Sequence, residues 1–253
     1  MRLALILVVL TAVSGAVVLY DRLVLRAKRE SSNSEGGRLE SILVEYSRSF
    51  FPVLFFVLII RSFIFEPFRI PSGSMMPTLL QGDYIFVKKY SYGLRLPVLE
   101  KKIFETGNPE RGDVAVFRLP SDPNINYIKR VVGLPGDRIV YKEHRLTING
   151  EQVELTRDSD TPLHDDIPQF REILGGREHA ILISSPGNTM RDNVYIVPEG
   201  SYFMMGDNRD NSRDSRFIGV IADKYLVGEA VRIWMHMDGF NWPLWERIGT
   251  KIQ

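Results

Sequence analysis

The chain has 253 residues, with 32 Lys+Arg against 31 Asp+Glu, 44% hydrophobic and 11% aromatic residues. A formal net charge of +1 offers no basic footprint for nucleic acid, and 14 Phe, 10 Tyr and 3 Trp exclude a disordered or low-complexity chain. The absence of cysteine removes disulfide frameworks, Cys-ligated zinc, iron–sulfur clusters and a thiol nucleophile, and leaves the compartment open.

Residues 1–20 read as a first transmembrane helix, because Leu3 to Tyr20 (LALILVVLTAVSGAVVLY) is uncharged and long enough for a ~30 Å hydrocarbon core. The rival reading is a cleaved signal peptide, with the small residues Ala12, Ser14, Gly15 and Ala16 as a cleavage region. Against it, the run exceeds the usual apolar core of about 7–15 residues, and its basic cluster (Arg22, Arg26, Lys28, Arg29) follows instead of preceding it.

Residues 21–49 form a polar loop carrying six Lys/Arg, and 50–65 a second span starting FFPVLFFVLII. Arg61 can snorkel to the interface, and no polar face suits the segment to a soluble helix. Positive-inside counting places the loop in the cytoplasm and everything after Phe65 on the exported face. The protein is thus expected to be multi-pass, with its larger domain on the exported face.

Residues 66–253 are expected to form one mainly β domain, its β-prone runs punctuated by Gly, Pro and Asp. Strands are predicted at 84–88, 113–119, 127–132, 138–142, 145–148, 152–155, 193–197, 202–205 and 229–235. Asn149-Gly150 between two such runs is a strong hairpin signal, since both turn positions need φ > 0. Residues 157–192 show no period and read as an insertion or long surface loop. Trp234, Trp242 and Trp245, with Phe63, Ile64, Phe65, Phe68 and Ile70, admit two readings: core, or contact with lipid headgroups.

No G-x-S-x-G, S-x-x-K, H-E-x-x-H or P-loop is present. His144, His164, His179 and His236 lack metal-ligand spacing, so no metal, cofactor or catalytic role is expected of them. Three segments remain. In PSGSMMPTL (Pro71–Leu79) two hydroxyls flank Gly73, which suits a turn or a nucleophile approached closely by backbone. In YIKRVVGLPGD (Tyr127–Asp137) Lys129 points to water by default. If it is buried among Tyr127, Ile128, Val131 and Val132, desolvation lowers its pKa and makes a neutral general base. In GDNRDNSRDSR (Gly206–Arg216) the acidic run fails the calcium-loop pattern, and alternating Asp and Arg suit a salt-bridged loop.

Two spans followed by RSFIFEPFRIPSGSMMPTLLQGDYIFVKKYSYG, RGDVAVF, NYIKRVVGLPGD and MMGDNRDNSRDSRFIGV together resemble the bacterial type I signal peptidases, membrane-bound Ser-Lys proteases. The likeness covers roughly half of the exported domain and little of 138–192. It implies an all-β exported catalytic domain, shared with self-cleaving repressor peptidases, and an acyl-enzyme mechanism acting after small residues of an A-x-A site. It implies Ser74 as nucleophile, Lys129 as general base, Ser72 as a side-chain oxyanion donor and Ser212 as the serine that hydrogen-bonds the lysine. Asp214 and Arg216 match a supporting pair, and Asp207 and Arg209 an earlier one. Phe68, Ile70, Met75, Leu79, Tyr127 and Ile128 match residues lining shallow apolar substrate pockets. The implied partners are preprotein signal peptides, the lipid bilayer and the secretion translocon. Some members of the family carry a disulfide that this chain lacks the cysteines to make. Two other readings stay open: a Ser-Lys peptidase that cleaves itself or one partner, and an anchored β domain that binds without chemistry.

Overall fold

A computed structural model describes residues 2–25, 42–99, 101–158, 167–184, 193–237, 239 and 242–253. It divides into two compact units, 1–65 with 94–104, and 66–93 with 105–253.

The first unit is built on two helices. Arg2–Tyr20 continues as a π-turn through Asp21–Leu25, and Ile42–Ile59 continues likewise through Ile60–Ile64. The second helix therefore starts ahead of the predicted Phe50, because Ile42, Leu43 and Val44 extend the apolar run and Glu45 and Arg48 are tolerated near its start. Pro52 is thus interior to the helix. The helices touch closely where Gly15 meets Phe51: a Cβ on Gly15 would lie 2.8 Å from the Phe51 ring. A small residue at such a crossing lets apolar helices approach. Asp21 is buried and receives Arg48 Nη2 at 2.9 Å, tying the helices together. Leu3–Leu25 and Ile42–Ile64 are each 23 residues long and apolar, and almost none of that surface is buried inside the protein. A soluble core helix would show the reverse. The cluster Arg26, Lys28 and Arg29 lies outside the described residues.

The second unit is mainly β, as predicted. Its largest sheet has seven strands in the order Phe65–Arg69, Asp83–Lys88, Leu226–His236, Val114–Leu119, Asp122–Gly133, Ser201–Met205, Ile221–Ala222. A four-stranded sheet carries Asn193–Ile196, Arg138–Lys142, Arg145–Ile148 and Glu151–Gln152. The 138–142 and 145–148 strands match the sequence reading to the residue, and the Asn149-Gly150 turn has φ of 55° and 90°, as a type I′ hairpin needs.

The 157–192 segment is not one loop. Gln169–Leu174 and Arg177–Leu182 pair as an antiparallel hairpin with Leu155–Arg157 alongside, while 159–166 and 185–192 lie outside the described residues. The alternation there is real but short: Phe170, Glu172 and Leu174 share the inward side of the strand, and Glu172 puts a charge on that side. The tryptophans divide. Trp234 stacks on Phe86 (ring centroids 5.5 Å) and meets Tyr84 edge-on (5.6 Å), whereas Trp242 and Trp245 are 85% and 68% exposed.

Candidate active site

Lys129 sits in the strand Asp122–Gly133, opposite Ala115 and two residues from Tyr127 and Val131 on the same side. Between these apolar neighbours it is only 3% exposed. Burial lowers its pKa to about 8, against the opposing pull of Asp214 and Asp207. Its Nζ lies 2.7 Å from Ser74 Oγ and donates to Ile128 O at 2.7 Å. The side chain that sequence places outward by default is therefore an inward amine held against a serine.

Ser74 is positioned by the turn in which it lies. Met76 N–H donates to Gly73 O (3.1 Å) and Leu79 N–H to Met75 O (2.9 Å), while Met75 and Leu79 sink into the core. The 206–216 loop grips this turn from the other side. Asn208 N–H donates to Ser74 O (3.2 Å) and Asn208 Nδ2 to Gly73 O (3.1 Å). Ser72 Oγ lies 3.4 Å from Ser74 Oγ on the exposed side.

Ser212 is brought to the site but not to the lysine. Its buried Oγ has no hydrogen-bond partner, and it crowds against Gly206 instead, where a Cβ would stand 2.2 Å from it and 2.5 Å from Ser74 O. The expected bond from Ser212 to Lys129 is absent: the partners of Nζ are Ser74 Oγ and the Ile128 carbonyl.

The Asp214–Arg216 pair forms as expected, with Arg216 Nε and Nη2 on the Asp214 oxygens at 2.8 and 2.7 Å. Asp214 also caps the short helix Ser215–Ile218 and accepts Gly206 N–H at 2.9 Å, so one carboxylate fixes both ends of the loop. The expected Asp207–Arg209 pair does not form. The backbone bends at Asp207 and turns at Arg209–Asp210, so these two aim apart and reach different partners. Asp207 takes Arg130 bidentately (2.8 and 2.6 Å) and Thr78 Oγ1 (2.5 Å). Arg209 takes Glu172 bidentately (2.7 and 2.5 Å). All four charged groups of these two pairs are at most 1% exposed. Burial alone would raise both carboxyls, but the facing guanidiniums of Arg130 and Arg209 hold Asp207 and Glu172 below the ordinary carboxylate range.

Sequence alone does not single out Arg130, Thr78, Asn208 or Glu172. Arg130 carries a signal in retrospect, since a cation amid Val131 and Val132 needs a buried acid. Glu172 carries none, its partner being 37 residues away.

Of the predicted pocket residues, Ile70, Met75 and Leu79 are buried core and present no surface, with Phe68 and Ile128 packed against them and still partly exposed. Tyr127 is half-buried, its ring 5.5 Å from Lys129 Nζ. Exposed surface is thus left to Phe68, Tyr127 and Ile128; the other three back Phe68 and Ile128, while Tyr127 rests on a separate cluster that includes Tyr92 and Phe117. His144 and His236 serve other ends, bonded to Asp210 and Asp83 at 2.8 Å each. Among the described residues no cluster suits a metal ion.

A family model described as signal peptidase, peptidase S26, matches residues 43–235. The chain is 47% identical to a signal peptidase I of Pseudomonas fluorescens over 94% of this chain and 92% of that one. It is 45% identical to the signal peptidase I of Pseudomonas aeruginosa over 97% of each, and 33% identical to that of Haemophilus influenzae over 99% of this chain and 92% of that one. A site built from a serine, a buried lysine and a doubly braced Asp/Arg loop sits inside the matched span, and by that match and those identities the chain belongs to the type I signal peptidase family, peptidase S26.

Proposed function

We propose that this chain is a membrane-anchored endopeptidase that removes signal peptides from exported preproteins, with Ser74 as nucleophile and Lys129 as general base. The observation that carries the reading is a nearly dry lysine, its pKa lowered to about 8, within 2.7 Å of a serine hydroxyl. Neutral Lys129 takes the Ser74 proton as Oγ attacks the scissile carbonyl, and the ester bond forms. The Ser72 hydroxyl and Ser74 N–H donate to the oxyanion. As the intermediate collapses, the C–N bond breaks and the Lys129 ammonium gives its proton to the departing amine of the mature chain. Neutral again, Lys129 takes a proton from water, whose oxygen attacks the ester carbon; collapse releases the signal-peptide carboxylate, and the proton returns to Ser74.

Phe68, Tyr127 and Ile128 form a shallow apolar wall that admits the small side chains of an A-x-A site and excludes large ones. The two helices anchor the protein in the bacterial inner membrane, with residues 21–49 cytoplasmic and the β domain on the exported face. Preproteins reach it from the translocon with the apolar signal segment still in the bilayer, which raises the effective concentration of the cleavage site. Trp242 and Trp245, exposed as they are, suit the headgroup layer.

The test is a detergent-solubilised preprotein with an A-x-A site, incubated with this protein and with Ser74→Ala, the products identified by mass. Cleavage after the last small residue, lost in the variant, supports the reading. Intact cleavage by Ser74→Ala, or none by the folded wild type, overturns it.

A further inference from the structure

We infer that the β-hairpin Leu94–Phe104 is itself a membrane-contact element, seated among the headgroups and upper acyl chains of an anionic bilayer. Leu94 pairs with Phe104 and Arg95 with Lys102, and Leu96 N–H donates to Lys101 O at 3.0 Å. At the tip Leu99 N–H donates to Pro97 O at 2.8 Å around Val98, whose φ is 68°. This γ-turn is strained for a β-branched residue. Leu99 beside this turn is 77% exposed, and on the second strand Phe104 is 65% and Ile103 41% exposed. A hairpin that holds three large apolar groups outward, one of them at a strained turn, is costly in water, so a surface that receives them is expected.

The position of the hairpin says which surface. Its flanks, Gly93 and Glu105, belong to the β unit, while 94–104 groups with the two apolar helices. Leu94–Arg95 lies against Ile60–Ile64, the last turn of the second helix. That turn holds Arg61 and ends the 23-residue apolar span, which is where a spanning helix meets the headgroups. The hairpin also carries Arg95, Lys101 and Lys102 against one acid, Glu100, a balance drawn to anionic lipid. Apolar tip and basic shoulders together match an interfacial element.

The inference rests on the membrane reading of the two helices, and the experiment separates the two. The chain has no cysteine, so a single Leu99→Cys can carry an environment-sensitive fluorophore in the full-length protein. The protein is reconstituted in phosphatidylethanolamine/phosphatidylglycerol vesicles and probed with nitroxide-labelled lipid and with aqueous iodide. Val9→Cys in the first helix reports span insertion, and exposed Glu151→Cys reports water. The expected result is lipid quenching at 99 several-fold above that at 151, with iodide quenching correspondingly weaker, and a return toward the behaviour of 151 when Phe104→Asp is added. Equal iodide access at 99 and 151, with Val9→Cys still quenched by lipid, overturns the hairpin inference and leaves the spans standing. Protection of 99 from both quenchers also overturns it, pointing to a protein partner or a second copy. Loss of lipid quenching at Val9→Cys overturns the membrane reading and the inference with it.

Discussion

The backbone N–H of Asn208 donates to the carbonyl of Ser74 at 3.2 Å, so the loop that follows Gly206 holds the proposed nucleophile directly, main chain to main chain. Gly206 makes that approach possible. A Cβ there would meet Ser212 Oγ at 2.2 Å and Ser74 O at 2.5 Å, too close for any shift confined to a side chain. Gly206→Ala is expected to cost about 1–3 kcal/mol of stability and most of the peptidase activity. Thermal unfolding in detergent beside peptide cleavage checks both. A variant of unchanged stability and turnover contradicts the clamp.

Ser72 Oγ faces Ser74 Oγ from 3.4 Å on the open side of the site. In its proposed role as an oxyanion donor it acts only when charge develops, so Ser72→Ala is expected to lower kcat on the order of 100- to 1000-fold with KM little changed. Steady-state kinetics on a soluble peptide substrate decides it. A rise in KM at constant kcat assigns Ser72 to substrate binding instead.

Lys129 also leaves a signature in stability. Its native pKa, about 8, lies below the ordinary lysine value of 10.5, so between those limits the unfolded chain binds more protons than the native one. Stability from this group therefore rises as pH climbs from about 8 toward about 10.5. Lys129→Met removes the buried amine. It is expected to be inactive, yet more stable than wild type below pH 8, with the gap closing as pH rises through that window. Denaturant unfolding at several pH values measures it, and a pH-independent difference argues against a desolvated amine.

Glu172 and Arg209 lie outside the dyad but brace the loop that grips it. Removing one partner of a buried pair leaves the other charge uncompensated, so Glu172→Gln is expected to cost about 3–5 kcal/mol at neutral pH. Because the native carboxyl is held below the ordinary value, the wild type loses this contribution as pH falls below about 4.5, and the gap to the variant narrows. A gap that persists unchanged at acid pH contradicts the assignment.

What sequence reveals here follows the range of the interactions. The Asn149-Gly150 turn and the two strands beside it are legible because their demands are local. Lys129 is not legible as a buried amine from its own strand, since strand lysines point to water by default; only likeness to a family singles it out. Asp207 and Arg209 look like a pair because they are neighbours, but each answers to a residue far along the chain, Arg130 and Glu172. The second helix extends back to Ile42 because a few charges at its start interrupt the hydropathy without ending the helix.

The account turns on Lys129 being able to lose its proton near neutral pH. The dependence of kcat/KM on pH for a soluble peptide substrate reports the essential base of the free enzyme. The account predicts an ascending limb with a midpoint near pH 8, the value the buried site gives Lys129. A limb centred near the ordinary lysine value of 10.5, or a rate that does not rise with pH, would contradict it.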